Sequence, residues 1–296
     1  MRIDRNLFAT CSSGLCNRLL LLAGSMRIAE VTQRSFALYW PLNEALGCPF
    51  EMLFTNRFEM VTERDLGLIL MTNFNLKVYN AWNTEGPSYR TIQRDGDPDA
   101  HIVIIKGWSD PRFGDETAGP EIDAEVRRRL LDLKPLPEIE AAVNACVLAP
   151  ATIGVHVRRG DNVENFGQSR DEYFFRIMRD ILQRRPDAKF FLATDVAALE
   201  SRFQDEFDGT LLTAPKTWAS RREVQGVREG LIDLLLLSRT AAIIGNVQSS
   251  FSQTAARLGN RQMLPADETN SGARLAPTSA WLASRLPQSN AAPVAS

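Results

Sequence analysis

The sequence predicts an α/β protein of two domains, each a parallel β-sheet with helices on both faces. Three observations carry this. Short, near-continuous apolar runs alternate with segments of helical periodicity along the chain. Pro135, Pro137 and Pro150 mark a linker that is followed by a fresh apolar strand, which places a domain boundary near residue 150. Finally, 296 residues, 44% hydrophobic and 24% charged, are enough for two soluble cores.

Taken in order, Leu7-Phe-Ala-Thr-Cys-Ser reads as the first strand, and Gly14 breaks it before a helix over Leu15–Val31 with apolar residues at helical spacing. Phe36-Ala-Leu-Tyr-Trp is the next strand, ended by Pro41, and residues 101–106 form a later buried one. Pro111, Gly114, Gly119 and Pro120 punctuate a loop. A helix carrying Arg127-Arg-Arg follows, with the arginines read as a solvated face, and then a second helix over 138–148. The second half alternates more clearly: strand 152–158, helix 171–185, strand 189–194, a short helix over 196–204 and strand 209–213. A long helix over 222–238, strand 241–245 and a helix from about Phe251 complete it. The expected domains are therefore 1–150 and 151–286, with a frayed tail over 287–296 rich in Pro, Ala, Ser and Asn.

Composition excludes several classes. A net charge of -2 removes any general electrostatic case for nucleic acid or an anionic membrane as partner. Cys11, Cys16, Cys48 and Cys146 form no C-x-x-C pair, and with His101 and His156 as the only histidines no zinc signature assembles, so free thiols and no metal are expected. No apolar run approaches bilayer length, and Met-Arg-Ile-Asp-Arg-Asn places charge where a signal peptide needs an apolar core. The expectation is a cytoplasmic protein without integral membrane association.

Residues 152–161, Thr-Ile-Gly-Val-His-Val-Arg-Arg-Gly-Asp, run a buried strand into paired guanidiniums. Guanidinium forks match phosphate oxygens and keep their charge at physiological pH, so an anion site is expected at this strand end. Thr194-Asp195 and Asn246-Val-Gln-Ser249-Ser250 lie at two further strand ends, and ligands of open parallel sheets gather at such ends. The serines also precede a helix, whose start favours anions, although serine there also serves as a plain N-cap. Asp233 lies in the greasy helix Gly-Leu-Ile-Asp-Leu-Leu-Leu-Leu. It either accepts a purine's paired N–H groups or emerges on an exposed face. His156 reads equally as a nucleotide contact or as a hydrogen-bonded core residue.

Gly-Val-His156-Val-Arg158-Arg159-Gly-Asp161 resembles the H-x-R-R-x-D peptide of the fucosyltransferase superfamily that includes α1,6-, nodulation and protein O-fucosyltransferases. Phe-Leu-Ala-Thr194-Asp195 is similar to the family's second motif, Asp233 through Ser249-Ser250-Phe-Ser252 to its third, and Gly14-Leu-Cys-Asn17 to its N-terminal glycine turn. The resemblance implies a GT-B architecture, two Rossmann-like α/β domains facing across a cleft, and GDP-fucose as the donor substrate with no cofactor. It further implies Arg158 at the diphosphate with Arg159 supporting it, Asp161 closing the motif, and His156 and Asp233 at the guanosine. By the same resemblance Asp195 shapes the pocket, Ser249 and Ser250 hold phosphates, and Gly14 and Asn17 reach the donor from the first domain. Glu164 is the nearest candidate base, Glu172 a second, and some relatives use no protein base.

The implied activity is inverting, metal-independent transfer of fucose to a hydroxyl of a glycan or glycoconjugate acceptor, lying against loops 82–89 and 108–119. Two alternatives stand beside it: a glycosyltransferase using another nucleotide sugar, and a non-catalytic nucleotide-sugar or glycan-binding module. Asp95-Gly-Asp97 spells a metal-binding D-x-D pattern, but the surrounding loop formers read as a turn. Arg159-Gly-Asp161 also spells an adhesion tripeptide, read as coincidence inside the longer motif.

Overall fold

A computed structural model describes residues 5–72, 75–81, 92–95, 97–160 and 167–272. The chain divides into two compact units, Met1–Ala141 with Ala219–Leu231, and Ala142–Trp218 with Ile232–Ser296.

In the first unit, β1 (Asn6–Thr10), β2 (Ser35–Tyr39), β3 (Glu59–Met60), β4 (Leu76–Ala81) and β5 (Ile102–Gly107) form a parallel sheet of order β3-β2-β1-β5-β4. The central strand β1 pairs Leu7 with Phe36 on one side and with Val103 on the other. Both β1 and β5 are almost wholly buried, which is why they read as continuous apolar runs. The helix α1 (Leu15–Val31) matches the predicted span, and Gly14 supplies its extended N-cap. Arg18, buried one turn into α1, donates to the carbonyls of Ser13 (2.6 Å) and Pro41 (2.5 Å) and stacks over Trp40. It thereby ties the glycine turn to the loop after β2.

Two expectations need correction or refinement here. Arg129, on α3 (Pro120–Asp132), is not solvated. It is buried and reaches Glu30 on α1 as well as Glu125 one turn back (2.7 Å), so α3 docks on α1 through a charged fork. Asp97, the second aspartate of the D-x-D pattern, sits in a turn as predicted, with a left-handed backbone (φ 51°). Its buried carboxylate is engaged by Tyr79 and Lys77 of β4, and its carbonyl by Arg34 (2.9 Å).

The second unit carries β6 (Ile153–Val157), β7 (Phe190–Thr194), β8 (Leu211–Thr213), β9 (Ala242–Gly245) and β10 (Met263–Pro265) in a parallel sheet of order β10-β9-β6-β7-β8. The chain builds outward from β6 in one direction and then restarts at β9 on its other side. This is the doubly wound order, with its reversal between β6 and β9. Phe174, Ile177 and Ile181 of α5 (Asp171–Arg184) and Phe203 of α6 (Ala197–Glu206) pack against Phe190, Leu192 and Ile244 of the sheet. Gly154 allows β6 to approach the following segment closely, because a Cβ there would meet Thr240 Oγ1 at 2.7 Å and Leu237 Cδ2 at 2.8 Å. Two further helices flank the site described next, α7 (Val224–Arg239) and α8 (Ser250–Gly259).

Candidate functional site

Every β6 residue is buried, and Arg158 is the first residue to leave the sheet. Its backbone N–H donates to Asn246 Oδ1 at 2.9 Å, and buried Asn246 is the first residue beyond β9. One hydrogen bond therefore joins the two strand ends that flank the topological reversal, where ligands of such sheets collect.

The neighbouring Arg159 points into the protein. Its guanidinium donates to Asp171 Oδ1 (3.0 and 2.6 Å), to the Ser169 carbonyl (2.5 Å) and to the Arg158 carbonyl (2.8 Å). Asp171 also accepts from Arg202 of α6 at 2.7 Å. Asp195, just past β7, accepts the backbone N–H groups of Arg159 (2.9 Å) and Gly160 (3.1 Å). Arg159, Asp171 and Asp195 thus fix the backbone on which Arg158 is carried. Sequence reasoning placed Asp195 correctly at the strand end but had no signal for Asp171.

His156 is buried, shares a 2.7 Å hydrogen bond between Nδ1 and Ser252 Oγ, and stacks on Phe251 (centroids 4.6 Å apart, 18° between planes). Burial pushes its pKa down to about 3, aided by the nearby cations of Arg158, Lys216 and Arg159. At neutral pH it is an uncharged bolt between the end of β6 and the first turn of α8. Gly245 makes room for this contact, since a Cβ there would meet Ser252 Oγ at 2.5 Å.

Ser249 is the N-cap of α8: its buried hydroxyl accepts from Ser252 N at 3.5 Å, and its own N–H goes to the Asn246 carbonyl (3.3 Å). Gln248 takes a left-handed conformation (φ 56°) to enter the turn. Ser250 opens the helix, so its hydroxyl and the first-turn N–H groups of Ser250 and Phe251 are the donors at the positive end of the dipole. Val247 N–H is held by Ser169 Oγ at 2.9 Å, so the β9 turn and the Arg159 network share an anchor.

Asp233 on α7 is buried, not emergent, and the partner its burial demands is Lys216 Nζ at 3.0 Å. Lys216 was not legible in the sequence: it lies in the loop after β8, in no periodic pattern. It also donates to the Thr194 carbonyl (3.1 Å), lies 3.6 Å from Glu200 Oε2, and sits beside the Trp218 ring.

Gly14 and Asn17 belong to the first unit, at the start and in the first turn of α1, and Asn17 is half-buried. Glu172 is exposed in the first turn of α5, 3.6 Å from Arg202. Asp161 and Glu164 lie outside the described residues. The described residues contain no cluster of three His, Cys, Asp or Glu suited to a metal ion. No described helix is long and apolar enough to cross a membrane.

The fold is α/β of GT-B type, two Rossmann-like units, and solved structures with this fold include fucosyltransferases. Fucosyltransferase NodZ from Bradyrhizobium aligns with 85% of this chain and 92% of its own at a TM-score of 0.57 and 18% identity. A NodZ α1,6-fucosyltransferase soaked with GDP-fucose gives the same TM-score at 17% identity, covering 88% and 94%. A FUT1 variant of Arabidopsis thaliana in complex with GDP aligns at 0.56 and 14% identity, over 88% of this chain and 69% of its own. POFUT1 in complex with GDP-fucose aligns at 0.53 and 12% identity, over 88% and 97%. No protein-family model and no curated protein matches the sequence.

Proposed function

We propose that this chain is an inverting, metal-independent glycosyltransferase that moves fucose from GDP-fucose to a hydroxyl of a glycan or glycoconjugate. The observation that carries the reading is the position of Arg158: it leaves the sheet at the β6/β9 reversal, with the α8 N-terminus beginning four residues beyond the Asn246 that holds its backbone. The fold likeness to structures crystallised with GDP or GDP-fucose supports the same donor.

In this reading the diphosphate lies against Arg158, the Ser250 hydroxyl and the first-turn N–H groups of α8. Cleaving the sugar–phosphate bond moves negative charge onto the departing diphosphate while the sugar gains oxocarbenium character. A guanidinium and a helix start aimed at that charge stabilise the transition state more than the ground state. Because Arg158 is carried on a backbone pinned by Asn246 and Asp195, little reorganisation is required as charge develops. The neutral His156 is held to Ser252 and fixes α8 relative to β6; it does not move the proton. The acceptor hydroxyl's proton goes to Glu164 or, in a step without a protein base, to an oxygen of the departing diphosphate.

Calorimetry with GDP-fucose, GDP-mannose and a UDP-sugar tests the donor. GDP-fucose should bind most tightly, and equal binding of the UDP-sugar removes the assignment.

A further inference from the structure

We infer that Arg18 is a positioning residue for donor binding, holding the turn at Gly14 so that Asn17 meets GDP-fucose. This deepens the donor reading above and rests on it.

One guanidinium holds the turn to the loop after β2. Arg18 Nε donates to the Ser13 carbonyl (2.6 Å), and its two terminal nitrogens reach the Pro41 carbonyl (2.5 Å) and Asn43 Oδ1 (3.2 Å). Asn43 completes the clamp. Its amide donates to the Ser12 carbonyl (2.9 Å), and its side-chain oxygen also accepts the N–H groups of Ala45 (2.9 Å) and Leu46 (3.1 Å). Both residues immediately before Gly14 are thus fixed by their carbonyls. Arg18 Cζ lies 5.1 Å from the centre of the Trp40 ring, and that ring is itself fixed by its indole N–H on the Cys48 carbonyl (3.0 Å). Helix α1 starts from this turn without a side-chain cap, so the clamp is what orients its first residues.

The chemistry of the clamp points to an anion rather than to packing. Arg18 is buried, and all of these partners are uncharged. Among the described residues no carboxylate pairs with it, and the first turn of α1 carries no acidic residue. The titratable groups whose field reaches it are Cys11 and Tyr39, both raised by burial and therefore neutral at pH 7. Burial lowers Arg18 itself to about 10, which leaves it charged. A buried cation held by neutral groups costs more than an apolar side chain of similar size would. What the cation adds is a rigid turn with positive charge beside it, which suits a diphosphate.

The test measures GDP-fucose affinity by calorimetry, and KM and kcat from GDP release, for the wild type, Arg18→Lys, Asn17→Ala and the double variant. Lysine keeps the charge but has no planar fork to span three acceptors. Arg18→Lys should weaken donor binding and raise KM by about 10-fold with kcat within about twofold, the pattern of lost donor holding rather than of lost transition-state stabilisation. In the Asn17→Ala background the same change should alter affinity by less than about threefold, because a residue acting through Asn17 has nothing left to position there. Should Arg18→Lys not fold, Asn43→Ala, which releases Ser12 and one arm of Arg18, carries the same expectation. A larger effect in the Asn17→Ala background overturns this inference and leaves the donor reading standing, as does wild-type affinity in either single variant. A wild type that does not bind GDP-fucose overturns the donor reading itself.

Discussion

The side-chain carbonyl of Asn246 accepts the backbone N–H of Arg158 at 2.9 Å, fastening the end of β9 to the end of β6 where the sheet order reverses. Asn246 is buried, and the segment that follows it turns into the N-cap of α8. The arginine and the helix start that together present positive charge are therefore held by one side chain.

Asn246→Ala should lower GDP-fucose turnover by about 10- to 100-fold although Arg158 itself is unchanged in sequence, because a small misplacement of a charge-stabilising group is enough to lose most of its effect. Steady-state GDP release measures this. The same substitution leaves the Arg158 N–H unsatisfied, so thermal unfolding should show a loss of about 1–3 kcal/mol.

His156 makes stability depend on pH. Its folded pKa is pushed down to about 3, below the value near 6.5 of an unfolded histidine, so the unfolded chain binds the proton first. The contribution is fully present above about pH 6.5 and is lost as pH falls toward 3. Melting temperatures from pH 7.5 to 4 should fall more steeply for the wild type than for His156→Asn; parallel curves would remove His156 as the cause.

Gly154→Ala should destabilise the second unit by about 1–3 kcal/mol, since the new methyl meets Thr240 and Leu237 at distances no side chain tolerates without a shift. Chemical denaturation reads this directly, and a neutral result would mean that β6 relaxes away from the Leu237–Thr240 segment.

Asp195→Ala frees the N–H groups of Arg159 and Gly160 at an exposed position, so its effect should fall on turnover and donor affinity more than on stability. Paired melting and kinetic measurements separate the two, and a large melting shift with unchanged kinetics would contradict the positioning role.

Most of the second unit was legible because β6, β7 and β9 are buried on both faces and therefore read as unbroken apolar runs ending in polar residues. Helix α1 was legible through Gly14 and its apolar spacing, despite being buried around most of its circumference. The edge strands β3 and β10 span two and three residues, too short for any period to show, and α2 (Glu63–Thr72) together with β4 was not read from the sequence. Pairing was the other blind spot. Lys216 lies 17 positions before Asp233 in sequence, and Arg129 lies 99 positions after Glu30, so neither partnership leaves a local trace. Both follow from one rule applied in reverse: a charge that cannot reach water must find an opposite charge.

The central claim is that Arg158 carries the charge of the departing diphosphate. GDP release from GDP-fucose, assayed in a chelator for the wild type and Arg158→Ala, tests it most directly. The account predicts an unchanged wild-type rate and a loss of roughly 10²- to 10³-fold in the variant, as for other single donors of this kind. A variant that keeps the wild-type velocity, or a wild type silenced by the chelator, would contradict it.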